Sequence, residues 1–424
     1  MTQSRTANPA FIEQVDIISN KPPRNTVSIL GGIISFVYYE SMLSDSLRAT
    51  ITFADTGAVE NEKTNNTSVV EGLPIVGQEK VQIKFKDNND NKIGDKPELI
   101  LYVNSVKVID NDTTRSLIQL DLVSREFILN EKTRITKRYD GKLSETVKKL
   151  LEDKNSIGLE TEKDLFIEDT SNNFNFIGNN KKPFYVINWL ARKSVSSTSQ
   201  RLGKSAGYFF YERSDGYYFK SVDSLFSQEK KKSFIYTETT GVPKGYDANV
   251  LSFKKGNLID AQKKLQIGSY STRTILFDPF TTYYEVVTPN AERNEEDLKL
   301  AGSNLPTLNP EFNQPGANKE FSRTTYYLLD KGTLASGDNQ QQLEKKNEEN
   351  FKYSQILNQS IMRLNQFFSS QATITIAGDF SLHIGDAIYL DLPKLGVDRG
   401  KELDKQDSGL YIIAELTHLV DTNG

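Results

Sequence analysis

An α+β fold that is mainly β is predicted by three features of the 424-residue sequence. Apolar and polar residues alternate in several stretches near both ends of the chain, the pattern of a half-buried strand. A helical segment leading into an aromatic hairpin occupies the middle, and a longer helical stripe lies late in the chain. Two β units, each an antiparallel sheet or small barrel, therefore bracket an α+β insert.

Residues 1–25 are polar, close on Lys21-Pro22-Pro23-Arg24 and form an N-terminal arm that orders only by docking. The first strand is expected over 27–39, interrupted at Gly31-Gly32, where a bulge or sharp bend belongs. Between 46 and 55, Leu47, Ala49, Ile51 and Phe53 face one way and Arg48, Thr50 and Thr52 the other. The same period returns at Val81, Ile83 and Phe85 and at Ile118, Leu120 and Leu122. Turn-rich gaps at 61–68 and 87–92 separate these strands, so 26–130 is a first β-barrel unit.

The period then changes. Leu143, Val147, Leu150 and Leu151 recur at helical spacing after Tyr139-Asp140-Gly141. A second helix after Lys182-Pro183 gathers Phe184, Ile187, Trp189, Leu190 and Ala191 on one side, with Arg192 and Lys193 suited to its C-terminal dipole. The hairpin that follows has its tip at Ser214-Asp215-Gly216, where Asp-Gly is the turn signal because tight hairpin turns favour positive φ. Tyr208, Phe209, Phe210 and Tyr211 face Tyr217, Tyr218 and Phe219 as a packed cross-strand aromatic set. Together these segments make a small α+β insert over 131–236, with Lys230-Lys231-Lys232 at its exit.

Strand patterns resume at 249–253, 269–277 and 283–287. Residues 288–338 are rich in Pro, Asn, Gly and charge, a polar excursion with little core of its own apart from the stretch 323–329. A long helix over 340–369 carries Tyr353, Leu357, Ile361, Leu364 and Phe368 on one stripe. Strands return at 373–377, 387–391 and 409–419. The second β-barrel unit thus joins 237–287 to 370–424, and 288–369 holds the excursion and the helix.

Composition narrows the function classes. With 37% hydrophobic and 25% charged residues the chain is expected to be soluble and multidomain. No run approaches the roughly 18 apolar residues of a membrane helix, and Met1-Thr2-Gln3-Ser4-Arg5 does not open a signal peptide. The absence of cysteine rules out disulfide and thiol chemistry. A net charge of −4 argues against general nucleic-acid binding, which needs a concentrated basic surface.

Motifs that could carry chemistry are incomplete. Gly203-Lys204-Ser205 lacks the phosphate loop's first glycine, since Thr198 stands in its place, and it joins a helix to a strand. Asp87, Asn89, Asn91 and Glu98 match calcium-loop ligand positions, but Lys92 replaces the glycine of the sharp turn, so a solvated hairpin loop is expected. The two histidines, His383 and His418, are expected on the surface, and neither forms a metal or triad pattern. No carboxylate pair is singled out by spacing. No catalytic, cofactor or metal site is assigned.

Several stretches together resemble the baseplate hub protein of contractile-tailed phages of the T-even-like type, including relatives in marine cyanophages. Ser124 to Asn130 leading to 137–150 is similar to the passage where that family leaves its first barrel. The block 182–194, with 206–212 and 215–225, is its most specific part. Residues 378–388 and 408–418 resemble the second barrel of hubs and of type VI secretion spike proteins.

The resemblance implies two similar antiparallel β-barrels per chain, with a small α+β domain inserted and the long helix beside the second barrel. It also implies a homotrimer with a spike protein on one side and a tail tube or tube-initiator protein on the other, among baseplate wedge proteins. Three chains of two barrels each would match a hexameric tube to a threefold spike. DNA would pass the bore without sequence-specific binding, as suits an acidic chain. Such a protein is a non-enzymatic virion component assembled in the host cytoplasm, with no membrane insertion. Rival expectations are a tail-associated cell-wall hydrolase and, from the aromatics between Tyr208 and Tyr218, a carbohydrate-binding β module. Ring contacts are expected from strands within 27–55 and 371–391 and from the helix 340–369, which either braces the second barrel or packs between subunits. The candidate interface residues are Phe36, Tyr38, Tyr39, Phe53, Leu357, Ile361, Leu364, Phe368, Ile374 and Ile388.

Overall fold

A computed structural model of the chain describes residues 10–22, 24–57, 59–61, 64–73, 75–93, 98–153, 158–197, 206–237, 241–255, 261–267, 272–277, 282, 284–287, 309–312, 323–328, 338–341, 353–368, 371–394, 403–404 and 407–421. Gly203-Lys204-Ser205 lies outside them.

The first β unit contains β1 (Ala10–Ile18), β2 (Thr26–Ser28), β3 (Ile33–Ser41) and β4 (Arg48–Asp55). A small hairpin of β5 (Val59–Asn61) and β6 (Thr64–Thr67) leads to a one-turn helix, α1 (Val69–Gly72). Then come β7 (Lys80–Asp87), β8 (Leu99–Asn111) and β9 (Ser116–Val123). Eight strands pair in the order β2-β1-β7-β8-β9-β4-β3-β23, every neighbour antiparallel, where β23 (Glu415–Asp421) is the last strand of the chain. The predicted alternation holds: Leu47, Ala49, Ile51, Phe53, Val81, Ile83, Phe85, Ile118, Leu120 and Leu122 share one buried core. The break at Gly31-Gly32 is a single 3-10 turn between β2 and β3. Part of the expected N-terminal arm is an integral strand, because Val15 and Ile17 of β1 enter the same core and β7 pairs along its length.

The insert contains α2 (Arg125–Lys132), β10 (Arg138–Tyr139), α3 (Leu143–Glu152), β11 (Asp164–Ile167), β12 (Phe176–Ile177), α4 (Pro183–Ala191), β13 (Tyr208–Arg213), β14 (Gly216–Ser221) and α5 (Val222–Ser227). Helix α4 starts at Pro183, whose fixed φ suits the first helical position, and the Phe184 amide donates to Asn130 Oδ1 at 2.9 Å. Leu143, Val147, Leu150, Leu151, Phe184, Ile187, Leu190, Tyr208, Phe210, Tyr217 and Phe219 form its core.

The hairpin register narrows the predicted tip. Arg213 pairs with Gly216, so Ser214 and Asp215 make the turn and Gly216 belongs to the strand. Glycine is needed there for another reason: β11 runs parallel to β14, and a Cβ on Gly216 would lie 2.3 Å from the Asp164 carbonyl oxygen.

The second β unit is a five-stranded sheet in the order β20-β16-β15-β21-β22. It uses β15 (Lys232–Ile235), β16 (Ala248–Lys255), β20 (Ala372–Ile376), β21 (Ala387–Asp391) and β22 (Gly409–Ile412). Both large sheets are curled. This one is mixed instead of antiparallel, since β15 pairs in parallel with both β16 and β21, each reached by a connection long enough to cross over. The strands near 272–287 leave it: β17 (Thr272–Phe277) and β18 (Tyr284–Val287) pair with β19 (Arg323–Leu328), inside the stretch read as a polar excursion. Leu276 of β17 reaches the insert core and anchors that small sheet.

Of the long helix, the described part is α7 (Tyr353–Phe367), following α6 (Ala261–Ile267) in chain order. It docks on the insert and against β17 and β18, two strands that the sequence pattern assigns to the second β unit but that form a small sheet of their own. Leu357 enters the insert core, and Leu364, Phe367 and Phe368 pack on Phe209, Tyr211, Val222 and Leu225. Arg363 fixes the seat: its guanidinium donates to the Ala206 carbonyl at 2.7 Å and to Asp223 Oδ1 at 2.5 Å. Burial lowers its pKa despite the Asp223 charge.

Candidate functional site: a buried joint between three units

The sequence 378–386 is short, polar and irregular, yet it reaches all the units of the molecule. Phe380 enters the first sheet's core, Leu382 the second sheet's core, and Ile384 the cluster between insert and helix. These side chains lie two residues apart, and turns at 380–381 and 384–385 let one short segment pin three hydrophobic cores. Its polar residues are held as firmly. The Phe380 amide donates to Asp87 Oδ2 at 3.1 Å, Asp379 pairs with Lys232, and Asp386 meets Arg213 at 3.2 Å and Lys231 at 2.7 Å. Gly385 has φ +79°, and a Cβ there would lie 2.3 Å from the Tyr211 hydroxyl.

Glu40 of β3 is the centre of this joint. Its carboxylate accepts from the Tyr38 hydroxyl at 2.8 Å, the Ser214 amide at 3.2 Å and the Ile384 amide at 3.1 Å. His383 Nδ1 lies 3.1 Å from Oε1, and since an ionised carboxylate only accepts, Nδ1 carries the proton. Burial pushes the Glu40 pKa up, but the His383 bond and charge, with the Ile384 amide and Tyr38, outweigh it and the pKa is lowered. First sheet, hairpin and 378–386 segment therefore converge on one anion.

His418 of β23 lies beside it. Its ring stacks on Tyr38 at 6.2 Å and meets Phe380 edge-on at 4.9 Å. Desolvation, with His383 nearby, lowers its pKa to about 4, so the imidazole is neutral at neutral pH. Its Nε2 has no hydrogen-bond partner among the described residues. The expectation that both histidines lie on the surface is corrected: His418 is 7% exposed, and His383 is bound into the joint.

A second ionic knot ties the hairpin to the first sheet. Glu212 is fully buried, accepts from the Leu47 amide at 2.9 Å and pairs with Lys163, which also lies 4.0 Å from Glu126. Burial raises the Glu212 pKa, and Glu126 adds repulsion that Lys163 only partly offsets. Lys163 stays charged, because its two carboxylates outweigh burial and raise its pKa.

The expected interface residues fall into three groups. Phe36, Tyr38 and Phe53 are in the first core, Leu357 in the insert core and Ile388 in the second core. Ile361, Leu364, Phe368 and Ile374 are half-buried, Leu364 and Phe368 against the insert and Ile374 against the second core. Tyr39 alone is exposed, at 40%, opposite Thr417 of β23 and two residues along the edge from the 65%-exposed Leu419. Tyr208, Phe209, Phe210, Tyr211 and Tyr217 are buried, and the half-buried Tyr218 is stacked against Phe166 and Tyr211, which removes the basis for the carbohydrate reading. In the loop at 87–92, Asp87 Oδ1 accepts from the Asn89 and Asn91 amides at 2.8 and 2.9 Å, an arrangement that closes the hairpin.

The joint residues carried a faint signal. Glu40 continues the Phe36-Tyr38 face of β3, and Glu212 continues the Tyr208-Phe210 face of β13, so alternation alone turns both carboxylates inward. Arg363 lies one helical turn from Gln359, which accepts from the Ala206 amide at 2.7 Å.

No family model and no curated protein matches the sequence. The fold has likenesses among solved structures. A tail protein from Neisseria meningitidis MC58 matches with a TM-score of 0.51 at 8% identity, over 98% of this chain and 93% of the other. The 43 kDa tail protein of prophage MuSo2 from Shewanella oneidensis matches with a TM-score of 0.51 at 10% identity, over 97% and 95%. A prophage tail protein from Listeria monocytogenes EGD-e is similar at a TM-score of 0.43 and 10% identity, over 96% and 90%. The likeness to the first two spans both large sheets and the insert between them.

Proposed function

We propose that the chain is a structural component of a phage-type tail, the central hub that joins a tail tube to a spike. The observation that carries this reading is the end-to-end likeness of fold to two tail proteins, with nearly all of each chain covered. Two curled sheets in one chain, clamped by the 378–386 segment, suit such an adaptor. Three copies would offer six curled sheets to a sixfold tube and a threefold face to a spike. The candidate partners are thus a second and third copy of the chain, the spike, the tube or its initiator, and surrounding baseplate proteins, in a virion tail assembled in the host cytoplasm.

In this reading the chain does no chemistry of its own. Its buried charges tie units together: Glu40, Glu212 and Arg363 each link segments far apart in sequence. Ring contacts fall to exposed residues of the first sheet such as Tyr39 and Leu419, while Phe36, Tyr38 and Phe53 support that face from beneath. A net charge of −4 lets DNA pass a bore without adhering. Light scattering of the purified full chain tests the assembly: a mass near three times 47.9 kDa is expected, and a chain that stays monomeric at high concentration contradicts it.

A further inference from the structure

We infer that β23 and the 379–386 segment form an acid-sensitive latch, in which proton uptake by His418 frees the segment from the first sheet while each sheet stays folded.

The inference rests on where His418 sits. Strand β23 is an edge strand of the first sheet, bonded among the described residues on one side only, to β3. Through residues 413–414 it is continuous with β22, an edge strand of the second sheet. The same short stretch of chain is thus the covalent bridge between the two sheets, and His418 is its buried polar side chain, wedged between Tyr38 of β3 and Phe380 of the segment. A charge on that ring would have to be housed among aromatic faces; the Leu382 carbonyl serves one ring nitrogen, and Nε2 has no acceptor among the described residues.

The charged groups around the ring do not provide one. From β3, Glu40 attracts a proton on His418, but its oxygens already serve Tyr38, Ser214, His383 and Ile384. From the segment, His383 opposes the proton, and Asp379 and Asp386 are committed to Lys232, Lys231 and Arg213. From the hairpin, Glu212 pairs with Lys163, and Asp215 lies 3.2 Å from Arg213. From the end of β7, Asp87 holds the Phe380 amide. Opening exposes the ring to water, and that state takes the proton.

The sign follows from linkage. The closed joint binds a proton at His418 only near pH 4, whereas the opened ring binds it near the ordinary value of 6.5, so acid favours opening across that interval. The opening constant should rise roughly 30-fold between about pH 7.5 and about pH 5 and level off below about pH 4. Glu40, whose pKa is lowered in the joint, adds a further loss only in stronger acid.

Hydrogen–deuterium exchange on the full chain tests this, with rates corrected for the intrinsic pH dependence of each amide. Amides of 379–386 and 415–421 should lose protection toward pH 5 while those of β4 and β9 keep theirs, and in His418→Gln the pH dependence should disappear. A rise below about threefold in the parent protein, or an equal rise in His418→Gln, overturns the latch. Should the variant fail to fold, NMR of the histidine-labelled parent decides, because two histidines give two titration curves. His418 titrating near 6.5 while the joint amides remain protected also overturns it.

Discussion

Phe36, Tyr38 and Glu40 are every second residue of β3, and the strand's inward face passes from apolar to anionic where it leaves the sheet core. A carboxylate there is tolerated because four donors from three segments meet it. Glu40→Gln replaces one acceptor oxygen by an NH2 that must face a donor. It should therefore lower the unfolding free energy by about 2–4 kcal/mol in urea titrations. A loss under about 0.5 kcal/mol would contradict the role given to Glu40. The histidines show why such sites escape a reading of the sequence. His418 shares the inward face of β23 with Leu416 and Val420, so alternation turns it inward although the apolar Leu419 is exposed; what the sequence hides is what the ring meets. Those partners, Tyr38 and Phe380, are remote in the chain and make the residue part of the joint. Gly216 teaches the same point: the Asp-Gly pair signals a turn, but the parallel strand β11 is what requires the glycine.

Among the elements, β3, β4, β7 and β9 of the first sheet were plain from alternation, and α3 and α4 from helical spacing, because local pattern and final burial agree there; β1 and β8 were not. The stripe on α7 was equally plain, but a stripe names no partner. The structure seats it on the insert, with Leu357 6% exposed in that core. Leu357→Ala should thus destabilise the folded chain by about 2–5 kcal/mol, read from its thermal or urea midpoint. Dissociation of an assembly into stable monomers, with the midpoint unchanged, would show instead that the helix acts between copies. Pairings that cross long stretches of chain were the ones the sequence hid. They include the parallel partners of β15, the β17–β19 sheet and the return of β23 to the first sheet. Each depends on contacts between segments whose own patterns are compatible with several sheets.

At the scale of the whole molecule, two curled sheets are not independent beads on a chain. The 378–386 segment, β23 and the Glu212–Lys163 knot clamp them and the insert into one body, which is what the tail-hub proposal asks of an adaptor. The class of fold was legible in the sequence; its mixed second sheet and its ionic joint were not. Electron-microscopic class averages of the purified protein test the central claim most directly. The tail-hub reading predicts threefold rings around an open central bore, and uniform compact particles of single-chain size without a bore would contradict it.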